Sequence, residues 1–549
     1  MKKILILTCC LAFFSQSCKD TLEEEVVSVV TPEYFKTPTG FEDAVKASYE
    51  PLRSWYGTQR GFTLTVFGTD TYTKGADGDY KFVNDYTPNL NAQVDYVRDL
   101  WNDFYRAINT TNTVIDRAPT VEVDEARKAI RVGEAKFLRA HYYFVLVQTF
   151  GPIHLALHET TEVQTTASRS SVKDVYDVIV KDLEEAIAVL PAKQTEYGRA
   201  TKPAAEHMLA KVLLTRAGNA SAAKPDDYQR AAELAKGVIN NTSYGFRLLP
   251  NFADVFDQSN QEHAEVVWAV QYTNSLLTNG NGNSGHLYFL MEYDAGHKGT
   301  MRDVANVRPF KRFKPTTYTL DLFDRTKDSR YDGSFKQVFY ANNPATLAPG
   351  MKIGDTAIWV APTNISAAYK ASKNYRIIDR AEVLSSGNYR YFPSLSKFLD
   401  PQRLSVQEER GSRDFMVARL AETYLIAAEA LLKSGKAPEA VTYINELRRR
   451  AAKKGKDDAE TEKLKKAMEI TAAQLDMNFI LDERARELLG EMDRWYDLVR
   501  TGTLIERVKK YNPDGAPNIQ PFHMLRPIPN DQIDRTTGGK EAFPQNQGY

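Results

Sequence analysis

The stretch Arg413 to Arg450, RDFMVARLAETYLIAAEALLKSGKAPEAVTYINELRRR, constrains the fold more than any other. Phe415, Leu420, Tyr424, Leu425, Ala428 and Leu431 recur at helical spacing, with no Pro or Gly among them. Lys433-Ser434-Gly435-Lys436 breaks the pattern, and Gly435 can take the left-handed conformation that ends a helix. Pro438 then falls in the first turn of a second helix, where its missing N–H costs nothing. Ala427, Ala428 and Ala440 are small where two helices must approach closely. A lone helical hairpin cannot bury its apolar faces, so the chain must hold companions that stack on it.

The companions are legible. Tyr96 to Arg117, Arg127 to Phe150 and Ser171 to Leu190 are periodic, with Ser171 as a cap. Thr201 to Ala217 and Tyr228 to Ile239 form another small-residue hairpin. Thr39 to Trp55 is a further helix candidate, through Phe41, Val45, Tyr49 and Leu52. The opening hairpin resembles a tetratricopeptide repeat, with Tyr424, Ala428, Leu431, Gly435, Ala440 and Ile444 at the pattern's positions. The expected fold is mostly α, with tetratricopeptide-like hairpins building a superhelical scaffold. Two stretches break the periodicity. Tyr56 to Gln93 alternates Gly, Asp, Asn and aromatics, and reads as a long loop. Residues 244–411 are rich in turn signals and scattered rings, and read as an irregular excursion between hairpins. The expected organisation is a helical scaffold over 31–243 with the loop at 56–93, the excursion over 244–411, and C-terminal hairpins and tail over 412–549. Lys453 to Lys465 is a charge run and reads as a solvated helix or loop.

The first 30 residues have another character. Lys2 and Lys3 precede a short apolar run, Ile4 to Phe14, too short to span a bilayer. Ser15-Gln16-Ser17-Cys18 follows, and resembles a bacterial lipoprotein signal. Cleavage after residue 17 makes Cys18 the lipidated first residue; the bland alternative is a plain secretory leader. The chain's three cysteines are Cys9, Cys10 and Cys18, so the body has no disulfide and no thiolate metal site. Residues 18–30 read as a lipidated acidic tether, a membrane anchor without a transmembrane helix. Lys19, Asp20 and Glu23-Glu24-Glu25 look like the export signal that sends Bacteroidetes lipoproteins to the cell surface. Removing Lys2 and Lys3 with the leader leaves 69 basic against 71 acidic residues, which gives no case for nucleic acid.

No catalytic motif stands out. There is no His-Glu-x-x-His, no Gly-x-Ser-x-Gly and no phosphate-cradling loop. Asp77-Gly78-Asp79 lacks the alternating ligands of a calcium loop and reads as a solvated turn, so neither metal nor cofactor is expected. Paired carboxylates are the remaining route, for a helical glycosidase. Phe479 to Arg500 reads as a helix with Leu481, Ala485, Leu488 and Leu489 on a buried stripe; in it Glu483 and Glu487 are the best-spaced pair, but Arg484 and Arg486 bracket them and imply ion pairs along the helix that keep both charged.

Glu483-Arg484-Ala485-Arg486-Glu487-Leu488 with Arg494-Trp495-Tyr496-Asp497-Leu498, then Pro527-Ile528-Pro529, then Gln545-Asn546-Gln547-Gly548-Tyr549, resemble the ordered motifs of SusD/RagB proteins. Gln547 stands where that family usually has Pro. The resemblance implies a non-catalytic surface glycan-binding lipoprotein. It implies a partner, a SusC-like TonB-dependent outer-membrane barrel that the protein lids and feeds. It also places the ligand face in the loop before the Trp101 helix and in the excursion. Rings stack on sugar faces while amides and carboxylates read hydroxyls. The candidates are therefore Asp70, Tyr72, Tyr80, Tyr86 and Asn91 in the loop, and Tyr288, Tyr293 and Trp359 in the excursion. Trp101, Tyr105, Trp268, Tyr424 and Trp495 lie on periodic or motif stretches and are assigned to the core. A surface scaffold binding only proteins is the main rival reading.

Overall fold

The computed structural model describes residues 34–549. The leader, Cys18 and the tether lie outside the described residues. The long helices stack in chain order. Asp95–Arg117 packs on Glu125–Phe150, that helix on Val172–Val189, then Lys202–Ala217, then Asp227–Asn240. The next helix in the stack is Leu420–Lys433, followed by Ala437–Arg450. The tetratricopeptide-like scaffold is thus continuous in space although the chain leaves it for some 180 residues. Local chemistry starts each helix where it does. The Asp124, Ser171 and Thr201 side chains accept from the backbone N–H three residues on. Lys202–Ala217 buries side chains nearly all round, His207 and Arg216 among them, because neighbours cover it on several sides. Gly435 takes φ +76° at the hairpin turn.

The excursion leaves and rejoins the scaffold through one neck. Strand Val266–Val270 pairs antiparallel with Phe415–Arg419, which runs straight into the 420–433 helix. Beyond the neck lie short helices and small ladders, the largest being Val338–Tyr340, Thr356–Val360 and Arg376–Ile378.

Three expectations are corrected. The 39–55 helix is two pieces, α-helical Pro38–Ala47 and a 3₁₀ turn Glu50–Ser54, because Pro51 has no N–H to continue the ladder. The 56–93 stretch is no open loop. It holds helices Gln59–Thr65 and Lys81–Asp85 and strand Tyr72–Lys74, and most of it is buried. Its glycines let backbones touch: a Cβ at Gly75 would sit 2.0 Å from the Lys311 carbonyl oxygen. The 479–500 stretch is also two helices, Met477–Glu487 and Arg494–Arg500, split where Gly490 and Met492 both take positive φ.

The Glu483–Glu487 pair does carry ion pairs, but most of them run between elements rather than along the helix. Arg330 of the excursion reaches Glu483 at 2.7 Å and Glu487 at 3.1 Å. Arg419, at the neck, reaches Glu487 at 2.8 Å, Glu265 at 3.1 Å and Glu491 at 2.7 Å. Arg448 reaches Glu483 at 2.9 Å, and Arg450 bonds both Glu265 and Glu487. Arg486 keeps its expected partner Glu483, whereas Arg484 turns to Asp497 at 2.7 Å. One buried network therefore bolts excursion, neck and hairpin together.

Its pH response follows. Burial pushes the Glu487 carboxyl up, but Arg450, Arg419 and Arg330 outweigh it and hold the group down at about 2, against an ordinary 4.5. A carboxyl with a depressed folded pKa adds stability that is complete above the unfolded value and drains as pH falls. Glu487 alone is expected to give up about 3 kcal/mol between its ordinary value and about pH 2. Urea midpoints across that window check this, and Glu487→Gln flattens the decline.

Candidate ligand-binding face

The loop and the excursion meet. Strand Tyr72–Lys74 pairs antiparallel with Phe313–Pro315, and the pairing extends outward through Gly75 N–H to the Arg312 carbonyl at 2.8 Å. Lys311 closes on Asp77 at 3.0 Å and on Glu292 at 3.4 Å, and Arg390 pairs with Glu292 at 2.8 Å. This seam joins two segments more than 200 residues apart on one surface.

Aromatic rings flank it. Tyr80 stacks on Tyr96 with centroids 3.7 Å apart and planes 12° off parallel. The Tyr80 hydroxyl donates to Asp95 at 2.7 Å, which fixes the ring; burial first and that carboxylate second push its pKa up. Phe310 lies between Arg308 and Arg312, whose guanidinium carbons stand 5.0 and 5.2 Å from its centroid. Arg312 passes over Gly78, where a Cβ would come within 2.7 Å of its Nη1. With Tyr80, Asp77 and Phe67 it lines a shallow recess. Arg308 has Glu409 at 2.7 Å, but among the described residues no group accepts from the Arg312 guanidinium. The face thus offers half-buried rings beside one uncommitted fork of donors. Flat apolar surfaces next to fixed polar groups suit a sugar ring.

The predicted residues divide by burial. Asp70 is 0% exposed and lies under the surface, where Arg494 holds it at 2.7 and 2.6 Å and Arg507 at 2.7 Å. Burial raises its pKa, and the two arginines overcome that and keep it low. Tyr72 is buried edge-on against Phe289. Tyr86 is buried with its hydroxyl on the Gly68 carbonyl at 2.7 Å. Tyr288 is buried against Phe62, and Tyr293 is buried and stacked on Phe339 at 4.8 Å. These five are corrected from contact candidates to core residues, since nothing outside the protein reaches them.

Tyr80, Asn91 and Trp359 reach the surface. Asn91 is exposed, and its side chain is spent on a local turn with Pro88 and Gln93. Trp359 is half-buried on the three-stranded sheet opposite Val338, with Tyr340, 57% exposed, at the end of the neighbouring strand. Of the residues given to the core, Trp101, Trp268 and Trp495 are buried, while Tyr105 and Tyr424 are half-buried. Tyr96, Phe310 and Arg312 went unselected. Tyr96 opens a helix and reads as scaffold, and no sequence signal ties it to Tyr80 or to Arg312. Among the described residues no cluster of three or more His, Cys, Asp or Glu is placed to hold a metal ion.

A tetratricopeptide-like scaffold with a loop-rich insertion bearing one aromatic face defines a helical-repeat binding protein. The chain belongs to the SusD family, whose sequence model matches residues 231–549. A second family model, described as starch-binding associating with outer membrane, matches residues 41–214. The SusD-like protein P2 of Formosa agariphila is 27% identical over 570 residues, covering 100% of both chains. The starch-binding protein SusD of Bacteroides thetaiotaomicron is 25% identical over 451 residues, 76% of this chain and 72% of that one. A solved laminarin-binding SusD-like protein shares the fold, with TM-score 0.69 and 23% identity over 94% of this chain and 100% of its own.

Proposed function

We propose that this protein captures oligosaccharides at the outer cell surface and hands them to a SusC-like TonB-dependent barrel, anchored by lipid on Cys18. The seam carries the reading: two distant segments set stacked rings and a free guanidinium on one face. Family membership and the starch- and laminarin-binding names of relatives support it. Calorimetry over a panel that includes laminarin and soluble starch tests it. At least one glycan is expected to bind, and Tyr80→Ala and Arg312→Ala are each expected to weaken that binding about tenfold, from lost stacking and donor contacts. Silence across the whole panel contradicts the proposal.

One observation favours the protein-only scaffold. A cleft of about 750 Å³ runs between Leu248–Asp254 and the 437–468 helices, lined by Leu249, Phe252, Arg449 and Lys465 among others. Pull-down from solubilised membranes separates the readings: a barrel supports the first, and soluble partners alone support the second. The glycosidase reading loses its best pair, because Glu483 and Glu487 are fully buried and held ionised by arginines.

A further inference from the structure

Four arginines are among the largest fully buried side chains: Arg216, Arg330, Arg419 and Arg526. The first three meet carboxylates. Arg216 reaches Asp227, Arg330 reaches Asp328 and Glu483, and Arg419 reaches Glu487 and Glu491. Arg526 is 0% exposed, and its Nε, Nη1 and Nη2 are all sealed from solvent with no acceptor among the described residues. Its guanidinium carbon lies 4.6 Å from the centre of the Trp495 ring.

Among the described residues no carboxylate pairs with Arg526, and the side chains beside it, Tyr86, Tyr496, His523 and Tyr549, are neutral. The Tyr86 hydroxyl donates to Gly68 and the Tyr549 hydroxyl to Leu525. His523 accepts from the Gln520 N–H, and burial first and Arg526 second hold its pKa at about 4, so the imidazole stays neutral. A guanidinium does not give up its proton in a protein. A permanent positive charge is therefore buried here, on guanidinium donors that meet no acceptor among the described residues. The Trp495 face offsets part of that charge. Water satisfies donors but leaves the charge uncompensated.

We infer that Arg526 and Trp495 form an internal binding site for a small monovalent anion of halide size, chloride in ordinary media. The site is distinct from the ligand face. Its place suits a structural lock: the Arg526 N–H donates to the Thr149 carbonyl at 2.8 Å, and Asn546 Nδ2 donates to the Arg526 carbonyl at 2.8 Å. The anion thereby pins the 525–549 tail between the Glu125–Phe150 and Arg494–Arg500 helices.

Two measurements decide it. Crystals grown with sodium bromide are expected to show one anomalous peak in hydrogen-bonding contact with the Arg526 guanidinium. At equal ionic strength and cation, the protein is expected to melt higher in bromide or chloride than in gluconate, and Arg526→Met is expected to remove that difference. Water alone on the guanidinium, or a protein carboxylate there, overturns the inference. So does a bromide peak with identical melting in halide and gluconate, which means binding at crystal concentration only. If Arg526→Met does not fold, the peak and the wild-type salt comparison still decide.

Discussion

Glu487→Ala is expected to cost roughly 3–5 kcal/mol of folding stability, read as the loss in chemical or thermal melts. The carboxylate is 0% exposed and faces Arg330, Arg419 and Arg450. Removing it leaves Arg330, Arg419 and Arg450 sharing Asp328, Glu265, Glu483 and Glu491, on which Arg448, Arg486 and Lys397 also draw. The cost comes from those stranded charges more than from the lost attraction, because burying an uncompensated ion is what a folded interior tolerates least. The effect is also spatially specific. Arg330 belongs to the excursion, Arg419 to the neck and Arg450 to the hairpin, so the excursion is expected to loosen first. Limited proteolysis cutting within residues 271–411 before the helices melt is the accompanying sign. Glu462→Ala serves as the control. That residue pairs with Arg449 and Lys465 at an exposed helix surface, where water and salt screen the charges, and its removal is expected to leave the melting transition essentially in place. Equal losses from both substitutions contradict the network account.

Cys18→Ala is expected to abolish both palmitate labelling and membrane retention. No helix among the described residues is long and apolar enough to cross a membrane. The Ile4 to Phe14 run is too short to do so, and Cys18 follows it after small and polar residues. Acyl chains bind membranes by the sum of their buried methylenes, so stable anchoring takes more than one chain. A lipoprotein cysteine supplies several, and losing it is expected to shift the protein from the membrane fraction to the soluble one. Growth with labelled palmitate, followed by fractionation, reads both effects at once. Unchanged labelling and retention contradict the anchor.

The helical scaffold was legible because it is local. Helical spacing, Ser171 as a cap, Pro438 in a first turn and Gly435 at a break are all decided within a few residues. The insertion between neighbouring helices was legible as a loss of periodicity. The ligand face was less so. Aromatic and Asn/Asp composition marks Tyr72, Tyr86, Tyr288 and Tyr293 as strongly as Tyr80, yet only Tyr80 escapes the core. Tyrosines pack inward as readily as outward once their hydroxyls find a backbone carbonyl, as Tyr86 does with Gly68. Asp70 was misplaced for the same reason. Its partners, Arg494 and Arg507, lie more than 400 residues away, and nothing near residue 70 announces them. The ion pairs of Glu483 and Glu487 show the matching limit: the charges were foreseen, while Arg330, Arg419 and Arg450 come from other elements.

The central claim is that the seam between the first loop and the excursion receives the glycan. Hydrogen–deuterium exchange with and without a saturating bound oligosaccharide tests it most directly. Protection is predicted in peptides covering residues 75–96 and 308–314, with little change in the 437–468 helices. Protection confined to those helices, with the seam peptides unchanged, would contradict the account.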